Sequence, residues 1–60
     1  MGMAKFQIDY QRIDAEGKTV PGSVICRASH IGIAIDAAIE ELKADDDTVS
    51  YVIVAAKTVA

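Results

Sequence analysis

Val24 to Leu42 reads VICRASHIGIAIDAAIEEL, and its hydrophobic period changes partway along. Up to Ala28 the chain alternates. Val24, Cys26 and Ala28 fall on one side and Ser23, Ile25 and Arg27 on the other, the two-residue repeat of a strand. Beyond it, Ile31, Ile35, Ala38, Ile39 and Leu42 gather into one stripe at helical spacing, with Asp36, Glu40 and Lys43 opposite. Ser29, at the junction, is a residue type whose hydroxyl can accept from the first helical amides. The pattern predicts a helix capped by Ser29 and running to about Ala44. Gly32 weakens its first turn by about 1 kcal/mol relative to alanine, so the start is expected there or one residue later.

Lys5 to Asp14 (KFQIDYQRID) also alternates. Phe6, Ile8 and Tyr10 point one way and Lys5, Gln7, Asp9 and Gln11 the other, as in a half-buried strand. Asp14 to Lys18 (DAEGK) supplies a turn in which Gly17 can take a positive φ. Thr19 to Ser29 is the returning strand. Pro21-Gly22 interrupts it, and because proline donates no ladder hydrogen bond, this strand is expected at a sheet edge or with a bulge. Ser50 to Val59 (SYVIVAAKTV) is a further strand, apolar on both faces.

The element order is strand, strand, helix, strand, which defines one small α+β domain over residues 1–60. Residues 1–4 are expected to form a flexible N-terminus. A right-handed crossover from the second strand to the third puts the first strand in the middle. The expectation is a three-stranded antiparallel or mixed sheet of order 2-1-3 with one helix on one face. The helix should cover the Phe6, Ile8, Tyr10 and Val24, Cys26, Ala28 rows. The other face should stay bare, carrying Gln7, Asp9, Gln11, Ile25, Arg27 and one row of the third strand. That row is either Val52, Val54 and Ala56 or Tyr51, Ile53 and Ala55.

The 60 residues are 52% hydrophobic and 25% charged, which suits a folded chain rather than a disordered one. A chain of this size buries only about 60% of its unfolded surface and draws on a supplement such as a disulfide, a metal or a partner. Cys26 and His30 are the only residues of their types. An intrachain disulfide is excluded, and a metal or other cofactor is not expected, so association is the natural supplement. The net charge of −3 disfavours nonspecific attraction to nucleic acid or anionic membrane. No apolar run approaches the ~20 residues of a membrane span, and no signal-peptide core precedes Lys5. Phe6 stands where N-myristoylation wants Ser or Thr. A cytoplasmic protein is expected.

Three kinds of candidate surface emerge. The first is the bare face with the third-strand edge, where Ile25, Arg27, Val52 and Val54 are expected to meet a protein partner. The second is the acidic stretch around Asp45, Asp46 and Asp47 (KADDDTVS, 43–50), either a solvated turn or a dock for a basic partner. These carboxylates follow the negative end of the helix, which favours cations instead. Calcium is not expected, because the triplet lacks the alternating ligands and glycine of an EF-hand loop. Ile33, beside acids on the outer helix face, is the third, as an apolar anchor.

Catalytic residues are not expected. Alternation turns Cys26 inward, away from the exposure a nucleophilic thiolate requires. His30 stands without a second ligand. The leading expectation is a non-enzymatic interaction module, an accessory or inhibitor protein that binds a larger protein or homodimerises through the bare face and third strand. The alternative is a small nucleic-acid-binding domain using Arg12, Lys18 and Arg27.

Overall fold

The computed structural model of the chain describes residues 2–59. Strand β1 (Ala4–Asp14) and strand β2 (Thr19–Ala28) form a hairpin, helix α1 (Ile31–Ala44) follows, and strand β3 (Thr48–Val59) closes the sheet. The strand order is β2-β1-β3, and β1 is antiparallel to both neighbours. This is the ββαβ arrangement that the change of period at Ala28 implies. Of the residues expected as a flexible N-terminus, Met1 lies outside the described residues, and Ala4 is already a strand position opposite Ala28.

The hairpin turn is built by Asp14. Its carboxylate Oδ1 accepts from the amides of Glu16 and Lys18, both at 2.9 Å. Gly17 takes φ +83, which glycine adopts without strain. Beyond the turn, β2 runs unbroken through Pro21, which pairs with Gln11 with no register shift. Of the two ways to accommodate the proline, the chain uses the edge position.

The core is built from small side chains. Phe6, Ile8, Ala28, Ala34, Ala38 and Leu42 are buried. The apolar stripe of α1 is therefore centred on Ala34, Ala38 and Leu42, with Ile35 and Ile39 half-buried beside it. Ile31, expected in the stripe, is 40% exposed. Side chains on a helix tilt toward its N-terminus, so a first-turn residue leans beyond the body of the helix. Ala34 was not expected in the stripe. Alanine adds little to a hydrophobicity pattern, yet three alanines at the interface let the helix backbone approach the sheet closely.

His30, not Ser29, holds the N-cap position, with φ −155 and ψ 166 and no capping hydrogen bond from its side chain. Gly32 does not delay the helix, which starts at Ile31.

Two irregularities shape β3. Asp9 pairs with Ala55 and Tyr10 with Ile53, so Val54 is an extra residue. Ile13 pairs with Ser50 and Asp14 with Thr48, so Val49 is a second. Bulges of this kind let a strand change which residues face inward. Ile53 and Ala56, which strict alternation would separate, share the helix-covered side through their partners Tyr10 and Ile8. Neither expected β3 row exists as written. The open side instead carries Ser50, Val52, Ala55, Lys57 and Val59, the partners of Ile13, Gln11, Asp9, Gln7 and Lys5.

Candidate interaction surface

Residues opposite one another across a sheet share a face, so the pairing fixes the open surface row by row. Its rows run Arg27–Lys5–Val59, Ile25–Gln7–Lys57, Ser23–Asp9–Ala55, Pro21–Gln11–Val52 and Thr19–Ile13–Ser50. The middle column is polar from Lys5 to Gln11 and ends on Ile13, and Gln7 donates from Nε2 to Asp9 Oδ1 at 2.8 Å. Aliphatic residues stand to either side of it. Ile25 and Val52 are each 58% exposed, and Val54 at the bulge is 57% exposed. A shallow concavity of about 200 Å³ lies near the hairpin end, lined by Gln11, Ile13, Thr19, Ser50, Tyr51 and Val52.

The basic residues sort differently from the expectation. Arg12 lies in the helix-side register of β1, its side chain largely buried. Lys18 sits in the hairpin turn, 3.4 Å from Glu16. Arg27 is at the far end of the open face. These three do not form one patch. Arg27 instead faces Lys5 across the strands, and Lys57 is one row away. Among the described residues the ion pairs are Arg12–Asp47 and Lys18–Glu16, and none involves Lys5, Arg27 or Lys57. This grouping depends on strand register, which a count of charges along the chain does not supply. The aromatic residues Phe6, Tyr10 and Tyr51 all take helix-side positions through their partners Cys26, Gly22 and Arg12.

The aspartate triplet has distinct contacts. Asp45 is the C-cap of α1. Its Oδ1 accepts from the Asp47 amide at 3.0 Å, and its carbonyl accepts from the Thr48 amide at 3.0 Å. Asp47 reaches across to the hairpin. Its Oδ2 lies 3.6 Å from Arg12 Nη1, and its Oδ1 accepts from the Ala15 amide at 3.4 Å. Asp46 is exposed. The carboxylates beside the negative helix end thus turn the chain and tie α1's exit to the β1–β2 turn. Arg12 Nη1 and Thr48 Oγ1 are buried without a hydrogen-bond partner.

Ile33 is 46% exposed on the outer face of α1. Cys26 is half-buried, and its thiol donates to the Ala34 carbonyl with Sγ 3.6 Å from the oxygen. His30 is exposed, its ring lying against Gly32, where an added Cβ would sit 3.2 Å from the imidazole. A cleft of about 190 Å³ between α1 and the sheet is lined by Tyr10, Arg12, Val24, Glu41, Leu42 and Asp45. That is below the ~300–1,000 Å³ of usual ligand pockets. No group of three or more His, Cys, Asp or Glu among the described residues could hold a metal ion. No helix among them is long and apolar enough to cross a membrane. No known protein family, curated protein or solved structure matches this chain.

Proposed function

We propose that the protein is a non-enzymatic interaction module of the cytoplasm, an accessory or inhibitor protein that works by binding another protein or a second copy of itself. One observation carries this reading. The sheet is covered by α1 on one face only, and its other face and β3 edge present Ile25, Val52 and Val54 more than half exposed. Exposed aliphatic residues on an uncovered sheet face favour its use as a contact surface. The half-buried thiol of Cys26, held on the Ala34 carbonyl, supports binding over nucleophilic chemistry.

The test is a photo-reactive amino acid at Ile25, at Val52 and at the exposed outer-face residue Ala37 of α1, each irradiated in the native host. Protein adducts at Ile25 and Val52 but not at Ala37 are expected. Equal labelling at all three positions, or none, overturns the reading.

A second reading, nucleic-acid binding, draws on Lys5, Arg27 and Lys57 at one end of the open face. Against it stands the helix-side placement of all three aromatics, which leaves no stacking platform beside those cations. Titration of a labelled single-stranded oligonucleotide at two salt concentrations separates the readings. Tight binding that weakens steeply with salt would favour the second.

A further inference from the structure

We propose that the cationic end of the open face, formed by Lys5, Arg27 and Lys57, docks an acidic segment of another protein, with its carboxylates on the cations and an aliphatic side chain on Ile25. The inference rests on the interaction reading above and names the chemistry of the partner.

Strand register concentrates positive charge at this end. Arg27 stands directly opposite Lys5, and Lys57 stands opposite Gln7, one row along. Lys5 and Lys57 are therefore diagonal neighbours, roughly 7–8 Å apart, a spacing that long side chains span. Arg27 and Lys57 are exposed and Lys5 is half-buried. Like charges directly opposite in a sheet are destabilising. Among the described residues no ion pair offsets that cost. Asp9 is the only carboxylate in the described rows of this face, and it accepts from Gln7. Three cations against one carboxylate give the face the opposite sign from the chain, whose net charge is −3. An incoming carboxylate removes the repulsion, and the Arg27 guanidinium can hold it through two parallel hydrogen bonds.

The surroundings favour protein carboxylates over phosphates. Ile25 is 58% exposed, two residues from Arg27 on β2 and in the same row as Lys57. One apolar side chain is thus bordered by cations. The rows nearer the hairpin turn hold Asp9 and no cation. A nucleic-acid strand would carry its next phosphates onto that carboxylate, and the helix-side aromatics give its bases no platform. A short segment that mixes acids with aliphatic residues meets both the cations and Ile25.

The test is selection of random dodecapeptides, displayed on phage, against the immobilised protein at low salt. Selected peptides should be rich in Asp and Glu beside Leu, Ile or Val. The tightest of them, synthesised with a fluorescent label, should bind roughly tenfold more weakly to Arg27→Glu or Lys57→Glu, each with its circular dichroism spectrum retained. Lys18→Glu alters the net charge equally but lies in the hairpin turn, and it should leave the affinity unchanged. The same peptide with Gln and Asn in place of its acids should also bind weakly, a change that leaves the protein untouched.

A selection without acidic enrichment, or equal losses at Lys18 and Lys57, overturns the proposal. Displacement of the peptide by single-stranded oligothymidylate at equal charge would assign the cations to phosphate and overturn it too. Self-association of the wild type at low salt, abolished by Glu40→Lys on the outer face of α1, would give the site to a second copy instead. Host adducts at Ile25 and Val52 without acidic enrichment would sink the acidic partner alone. Acidic peptides held by Arg27 and Lys57 without those adducts would sink the wider open-face reading alone.

Discussion

Tyr10 lies directly over Gly22, its cross-strand partner, so closely that a Cβ added at Gly22 would sit 2.5 Å from the phenol oxygen. The glycine of Pro21-Gly22 is therefore a bed for an aromatic ring inside a continuous strand, not an interruption of it. Gly22→Ala should lower stability by about 1–3 kcal/mol, the usual range for forcing an extra carbon into packed surroundings. The loss should shrink in a Tyr10→Ala background, because the clash partner is gone. A double-mutant cycle by urea denaturation measures this, and additive losses would show that Tyr10 does not set the demand for glycine.

Leu42 is buried at the C-terminal end of α1 and lines the cleft with Tyr10 and Val24, whereas Ile33 faces outward. Leu42→Ala should cost about 2–5 kcal/mol, enough to unfold much of so small a domain. Ile33→Ala should change stability by less than about 0.5 kcal/mol, as for surface positions without special contacts. Thermal and urea melts decide it, and equal losses would contradict the helix orientation.

Ala34 is fully buried between α1 and the sheet. Ala34→Leu should destabilise by about 1–3 kcal/mol or push the helix off the sheet, because close-packed interiors rarely take added carbons without strain. The same substitution at the exposed Ala37 should be neutral. Chemical denaturation of both variants tests whether small residues set the helix–sheet distance.

Asp47 and Asp46 are neighbours with different surroundings. Asp47→Asn should cost on the order of 0.5–1 kcal/mol by weakening the partly exposed contact to Arg12, while Asp46→Asn should be neutral or slightly stabilising as one charge leaves the helix end. Urea midpoints of the two variants check the ordering. A larger loss at Asp46 would show that the triplet acts as one electrostatic unit instead of two separate tethers.

Hydrophobic periodicity determined the element order and the covered faces of β1, β2 and α1, and the crossover rule added the strand order. Period two through Val24–Ala28 and the helical spacing after it leave one helix for three strands, and a right-handed crossover leaves one place for β1. Phe6, Ile8 and Ala28 were legible as core because alternation alone fixes their side.

Tertiary structure decided the rest, and each case has a physical reason. Ala34 joined the core because helix–sheet distance, not side-chain hydrophobicity, selects small residues at a close contact. The facing of Ile53 and Ala56 depended on Val54 being extra, a feature of pairing with β1 that no periodicity within β3 contains. Arg27 met Lys5 and Lys57, not Arg12 and Lys18, because register determines which charges become neighbours. Asp47 reached Arg12 and Ala15 because the sheet returns α1's exit to the hairpin turn, bringing together residues far apart along the chain. Local pattern specifies the buried face of β1, β2 and α1; only the register between elements specifies the facing of β3 and what each exposed residue stands beside.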